Sequence, residues 1–487
     1  MAEKILDGGG QGGNGAQATL PASRAYTGGH SSVAGRWRDY LLAPVDGASL
    51  AVFRICFGLL MLGDVWQYWI NGWITSDYVE PTFHFTYFLF PFVRPWPGDG
   101  MYWHFGVLGL LAVLMAVGLC YRLAAWGFFF AFTYLFLLDK TYYLNHNYLI
   151  CLLSFVLAIV PAQSAWSLDA WRQRKETGPP TLPIQACYDG TVPHWSILLL
   201  RTQVTLVYFF AGIAKLNHDW LVRDEPLHLW LRARAHWLLV PPMLESPGGL
   251  HLMTYGSTLF DLSVGFLLWG RRTFWPAAAG VLVFHLLNSY LFPIGVFPWL
   301  MLATLVLFRR PGWPRRCFRG AAPNIPAHAP SPASVRQTTA LVLLHLYLAV
   351  QLLVPMRHWL YPGNVSWTEQ GHRFAWHMML RHKDIRTFAM SLTDPRTEAR
   401  RLIDPCEYLT RRQLREMSRR PDMILQFAHH VADLEEARTG VRPVVNARVV
   451  ASLNARPYQE LIDPTVDLAA EPDSLAPAQW IVPLRPF

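Results

Sequence analysis

Between about residues 48 and 356 the chain is a succession of long apolar runs broken by short polar connections. The runs fall at about 48–69, 103–120, 123–139, 143–162, 194–215, 249–269, 274–292, 294–308 and 337–356. A helix needs about 20 apolar residues to cross the hydrocarbon of a bilayer. The pattern predicts an all-α polytopic membrane bundle of about nine transmembrane helices. The eighth run carries Pro298 after a tight Phe292-Pro293-Ile294-Gly295 connection and is expected to be tilted or broken. Composition agrees: charged residues are only 15 % of the chain, against about 25 % in soluble domains. Trp 21, Tyr 19 and Phe 28 form the aromatic load of interfacial belts.

The net charge of +9 would suit nucleic acid if it were clustered on one face. Instead it follows the loops. With a cytoplasmic N-terminus, one side holds Lys4, Arg24, Arg36, Arg38, Arg122, Arg172, Arg174, Lys175, Arg271, Arg272, Arg309, Arg310, Arg315, Arg316, Arg319 and Arg336. The opposite loops hold Arg94, Lys140, Arg223, Arg232 and Arg234. That bias follows the positive-inside rule and makes nucleic acid an unsuitable partner. Three regions are expected: a disordered cytoplasmic tail over 1–46, a transmembrane catalytic domain over 47–356, and a small extramembrane α+β domain over 357–487 on the periplasmic or lumenal side. In the last, Ile385 to Ile403 reads as a hairpin turning at Asp394-Pro395-Arg396-Thr397. Pro421 opens a helix, and Arg442 to Asp463 is strand-like. Of two outer loops, Glu80–Gly98 is aromatic and Pro-rich and Glu225–Pro241 reads as an amphipathic segment in the interface; both could anchor to the membrane or roof a site.

Polar residues share a depth in the outer half of this bundle. Asp139-Lys140, Asn145-His146, Lys215 and His285 all stand near outward helix ends. Such groups are costly in lipid and tend to face a cavity. Tyr208, Gly212 and Lys215 recur at i, i+4 and i+7, so they share a helix face. Gly212 would admit a ligand or a neighbouring helix. Lys215 has two readings. It can snorkel to the headgroups, or sit in a dry pocket as a neutral amine acting as a base. Asn145 alone could merely cap a helix, and Arg54 is expected to meet a carbonyl or carboxylate. Cys56, Cys120, Cys151, Cys187, Cys317 and Cys406 show no metal or disulfide spacing, and no metal is expected. Walker, G-x-S-x-G and H-E-x-x-H patterns are absent.

Several segments resemble the vitamin K-dependent gamma-glutamyl carboxylase family. Leu137-Leu138-Asp139-Lys140-Thr141 with Asn145-His146-Asn147-Tyr148-Leu149 is similar to its LLDKT…NHxYL segment. Val207-Tyr208-Phe209-Phe210-Ala211-Gly212-Ile213-Ala214-Lys215-Leu216 with Asp219-Trp220 is similar to VYFxAGxxKLxxDW. Phe284-His285 with Asn288-Ser289, Leu291-Phe292 and Ile294-Gly295-Val296-Phe297 is similar to FHxxNSxLFxIGxF. Asn364-Val365-Ser366-Trp367-Thr368, Ala375-Trp376-His377-Met378-Met379, Ile462-Asp463-Pro464 and Gln479-Trp480-Ile481-Val482-Pro483-Leu484 resemble its tail elements. The likeness runs from about Gly47 to the C-terminus. The vertebrate pair of lysines is here Ala214-Lys215, and the composition suggests a shorter, bacterial member.

The resemblance implies a mechanism. A lysine deprotonates reduced vitamin K (a menaquinol or phylloquinol hydroquinone). Reaction with O2 yields a strong base that removes a γ-proton from a protein glutamate. The carbanion takes up CO2, and the quinone leaves as its 2,3-epoxide. The same resemblance implies Lys215 as initiating base, His146 in the carbanion step and Asn145 positioning the quinone. Tyr208, Gly212, Lys140, His285, Asn288, Met378 and Met379 are quinone-side candidates, and His372, Arg373 and Trp376 glutamate-side candidates. The implied partners are membrane lipid, the quinone, and a secreted protein or peptide bearing glutamates. The implied location is a bacterial inner membrane, or the endoplasmic reticulum membrane in a eukaryote. Two rivals stand beside this: a hydroquinone oxygenase not coupled to carboxylation, and a proton-coupled transporter. No internal repeat of the kind common in transporters is visible.

Overall fold

The computed structural model describes residues 32–177, 190–237, 240–241, 246, 248–318, 323, 325 and 334–486. Its helices in order are α1 Val33–Leu42, α2 Ala48–Ile70, α3 Gly100–Val117, α4 Tyr121–Leu138, α5 Asn145–Ile159, α6 Leu168–Thr177, α7 His194–Ala214, α8 His218–Leu221, α9 Leu227–Arg232, α10 Gly249–Leu267, α11 Phe274–Leu291, α12 Phe297–Phe308, α13 Trp313–Cys317, α14 Val335–Met356, α15 Val365–Thr368, α16 Arg411–Met417 and α17 Pro421–Thr439. The strands are β1 Pro44–Asp46, β2 Thr191–Pro193, β3 Lys383–Thr393, β4 Arg400–Ile403, β5 Val444–Leu453 and β6 Gln459–Glu460.

The protein is mostly helical. Among the described residues six helices are long and apolar enough to cross a membrane: α2, α3, α4, α7, α11 and Val335–Leu360. The other three expected runs also fold as helices, with α5 and α12 shorter and apolar and α10 spanning Gly249–Leu267. Pro298 does not break α12. It lies in the first turn, where a missing N–H costs nothing, so the proline starts the helix. The expected tail over 1–46 lies outside the described residues up to residue 31. Its last part is ordered: α1 buries Leu41, and β1 pairs antiparallel with β2. That two-stranded ribbon was not legible in the sequence, because three-residue strands carry no period.

Helix α7 is the hub, with 72 % of its apolar window buried. Close approach is set by small residues. A Cβ on Gly212 would stand 2.7 Å from Leu262 of α10, and one on Gly58 would stand 2.7 Å from the Ala112 carbonyl of α3. Gly212 therefore admits a neighbouring helix. Arg54 is fully buried and donates to the carbonyls of Ala162 (3.0 Å) and Trp166 (2.6 Å). Arg201 likewise donates to the carbonyls of Leu307 and Arg309. Carbonyls at helix ends thus satisfy cations that lipid could not.

The C-terminal region is α+β. One antiparallel sheet has the order β4-β3-β5-β6, and the β3–β4 hairpin turns where the sequence predicts. Helix α17 has Pro421 in its first turn and buries Met423, Ile424, Phe427 and Val431 in a core shared with Val445 and Val449. The loop over 80–98 joins that core: Phe85 is fully buried there, and its carbonyl accepts from the Lys140 N–H at 2.7 Å. Phe88, Leu89, Phe92 and Trp96 of the same loop are exposed. In the other outer loop, Leu227 and Leu231 of α9 pack with Trp220, Leu291 and Phe292. This forms a roof over the C-terminal end of α7; residues 238–239 of that loop lie outside the description.

Candidate functional site

Lys215 terminates α7, its N–H bonded to the Gly212 carbonyl. The side chain does not snorkel. It is buried, and Nζ donates to Oδ2 of Asp261 on α10 at 2.5 Å. Aromatic rings enclose the amine, with Trp220 at 5.4 Å and Phe284 at 5.7 Å from Nζ. Trp220 is itself fixed by its indole N–H, which donates to the Thr254 carbonyl and to Thr258 Oγ1 on α10. The neighbouring Asp219 accepts from Asn454 and Arg456 of the C-terminal domain. The Asp219-Trp220 dipeptide thus ties the C-terminal domain down with one residue and encloses the amine with the next.

Two turns earlier on the same face, Tyr208 Oη lies 2.8 Å from Nε2 of His285 on α11. His285 has no exposed surface, and among the described residues its Nδ1 has no hydrogen-bond partner. The ring of Phe297 stands between two histidines, with His285 edge-on at 5.7 Å and His146 stacked at 6.1 Å. Asn145 does not cap α5, because Leu144 holds that position. Its side chain accepts from Tyr143 Oη at 3.1 Å and donates to the His377 carbonyl at 3.1 Å. Phe284 links the two groups, its ring 5.7 Å from Lys215 Nζ and 5.3 Å from the His285 ring; His146 joins them through Phe297, and Asn145 ties this group to the C-terminal domain. Asn288, one turn beyond His285, is half-buried and its carbonyl accepts from the Phe292 N–H.

Other expected site residues have structural partners of their own. Lys140 donates to Asp422 at 2.8 Å, and Arg373 grips the same carboxylate at 2.8 and 3.3 Å. The Arg373 and Lys140 charges hold the Asp422 carboxyl well below the usual carboxylate range, against its burial. Trp376 is buried and packs on Tyr148 at 5.0 Å. Met378 is half-buried against the membrane-domain core, and Met379 is 40 % exposed. His372 packs on His377 at 5.3 Å, and His377 on His358 at 4.7 Å. Burial lowers both His372 and His377, the latter to about 3, so both rings are neutral near pH 7.

Sequence reasoning passed over Asp261 and Glu369. Asp261 carried a signal, a carboxylate inside an apolar run, which lipid penalises unless it is paired. Glu369 carried none. It is buried with φ +64°, and its carboxylate contacts Arg381 and lies 3.1 Å from Lys383 Nζ.

Comparison with known families gives two matches. The HTTM domain model matches residues 42–313. The model for the vitamin K-dependent gamma-carboxylase lumenal domain matches residues 336–486. No solved structure matches the chain. With these two domains in this order over most of its length, the chain belongs to the vitamin K-dependent gamma-carboxylase family.

Proposed function

We propose that this protein oxidises reduced vitamin K with O2 to the 2,3-epoxide and couples that oxidation to carboxylation of protein glutamate. The observation that carries the reading is the buried Lys215–Asp261 pair beside an unpartnered His285 nitrogen, under aromatic rings. The fit to a quinol is chemical. A flat ring with two hydroxyls matches the Phe284 and Phe297 faces, and a hydroxyl matches the orphan Nδ1.

When bound, the quinol supplies the electrons for O2 and the basicity that glutamate deprotonation requires. The protein does the rest. Lys215 Nζ takes a hydroxyl proton, and the Asp261 carboxylate stabilises the ammonium so formed. Tyr208 fixes the His285 ring, leaving Nδ1 to orient the second hydroxyl. Trp220 and the α9 roof exclude water, which would quench the strong base. Asn145 spans the membrane group and the outer domain, where a polar glutamyl peptide would arrive. His146 stands beside the same ring stack for the carbanion step.

One observation favours the uncoupled reading. Glu369 already occupies Arg381 and Lys383, and Asp422 occupies Arg373, so these cations are not free for an incoming glutamate. A single assay separates the readings. Purified protein receives vitamin K hydroquinone, O2, labelled CO2 and a glutamyl peptide. Epoxide with fixed label is the expected result. Epoxide without label selects the uncoupled oxygenase, and neither product rejects both.

We further propose a cytoplasmic N-terminus and a periplasmic or lumenal C-terminal domain, following the loop charges. Cys406 in that domain and Cys317, the last residue of α13, are both exposed. In single-cysteine variants, a membrane-impermeant maleimide added to intact cells should label Cys406 and leave Cys317 unreacted until the membrane is opened. Labelling of Cys317 alone would invert the topology.

A further inference from the structure

A second acid lies inside the membrane domain, away from Lys215. Asp64 sits in α2 less than two turns from its end at Ile70. Among the described residues it has no hydrogen bond or ion pair to another side chain. An ionisable group in a span is costly and marks a functional position more often than chance. Asp64 borders a cavity of about 20 Å³ whose polar lining is Tyr68, Tyr78, Tyr142 and Asn147. By this measure about 10–15 Å³ holds one water, which needs two to four polar partners. The cavity meets both conditions.

Tyr142 supplies the independent sign of a ligand. It is 6 % exposed, its hydroxyl bears on the Asp77 carboxylate, and among the described residues no group donates to its Oη. A buried phenol oxygen that receives no hydrogen bond loses free energy that a bound water would recover. The three phenols form a series, Tyr68 to Tyr78 at 6.4 Å and Tyr78 to Tyr142 at 5.5 Å between ring centroids. The series ends at the outer face. Arg412 of α16 lies over the Tyr142 ring at 4.3 Å and pairs with Asp77 at 3.1 Å, and its side chain is 40 % exposed. Burial raises the Asp77 carboxyl above the usual carboxylate range, against the pull of Arg412. Asp139 also acts on Tyr142 from the loop before α5. From α3 and α4 only apolar residues, Phe105 and Phe132 among them, face the cavity.

We propose that this cavity binds one water, and that Asp64 is a proton-holding acid that exchanges with the outer aqueous face through that water, Tyr142 and Asp77. The transfer balances as a relay. The Asp64 proton passes to the water, the water gives a different proton to Tyr142 Oη, and the Tyr142 proton passes to Asp77. Asp77 then discharges to solvent beside Arg412. No residue of the cavity belongs to the Lys215 group, so the relay stands whichever reaction that group performs.

The test is infrared spectroscopy of the full chain in lipid nanodiscs at neutral pH. The expected result is a protonated-carboxyl carbonyl band that disappears in Asp64→Asn and shifts promptly when the buffer is exchanged for D2O. Tyr142→Phe keeps the ring under Arg412 but removes the relay hydroxyl, so the band should remain and its deuterium shift should slow several-fold. A band unchanged by Asp64→Asn overturns the proton assignment. A shift as fast in Tyr142→Phe as in the wild type overturns the relay. If Asp64→Asn fails to fold, the Tyr142→Phe shift rate still decides the matter.

Discussion

Lys215→Ala should lower epoxide formation by roughly 10²–10⁴-fold, the usual contribution of a positioned general base. A small exogenous amine should restore part of the rate, because the space vacated by the side chain still faces Asp261. A variant that makes epoxide at the full rate would remove Lys215 as the base. Rate alone does not separate chemistry from folding, since the amine is one half of a buried hydrogen-bonded pair with the Asp261 carboxylate. Removing one partner leaves the other charge unpaired, which costs about 3–5 kcal/mol in a protein interior. Lys215→Ala should therefore also lower the unfolding temperature.

The double replacement Lys215→Met with Asp261→Leu separates the two effects. Exchanging a buried pair for apolar residues of similar volume is often neutral or stabilising. The double variant should regain the lost thermal stability and remain inactive. Recovery of both would make the pair structural, and the base would have to be sought elsewhere. Asp261→Asn should be intermediate. It keeps an acceptor beside Nζ but removes the anion that stabilises the ammonium, so activity falls while the fold holds.

What the sequence revealed of this site follows the range of each interaction. Tyr208, Gly212 and Lys215 were legible as one face because helical periodicity is local. The hairpin of β3 and β4 was legible because Asp394-Pro395-Arg396-Thr397 carries turn chemistry. The partner of Lys215 was not legible. Which α10 residue meets the amine depends on how α7 crosses α10, and the Gly212–Leu262 approach sets that crossing. Lys140 shows the limit most sharply. At its position it reads as a site lysine, yet its carboxylate partner Asp422 lies 282 residues away on a helix of the outer domain. The same holds for Asn145, whose donation to the His377 carbonyl spans 232 residues. Local patterns placed these polar groups near helix ends, and long-range packing decided which of them share a contact.

The junction between the two domains should loosen in acid, and in two stages. His372 and His377 are buried and held below the ordinary histidine value, His377 at about 3. In the unfolded chain each would titrate near 6.5. Below that pH the unfolded state binds protons that the folded state refuses, so stability falls as pH falls. The slope is at most about 1.4 kcal/mol per pH unit for each ring, until the folded rings titrate. The Asp422 carboxyl, also held low in the folded state, adds a loss of the same sign below about pH 4. Its side chain is 35 % exposed, so solvent screens part of that second stage. Because the His377 carbonyl accepts from Asn145, the strain should reach the membrane site before the outer domain unfolds. Thermal unfolding of the purified protein between pH 7 and pH 4, followed by tryptophan fluorescence, measures the first stage. His377→Phe keeps a flat ring against His358 and His372 but cannot be protonated, so its unfolding temperature should depend less steeply on pH. Equal slopes in wild type and variant would rule out His377 as a source of the acid sensitivity.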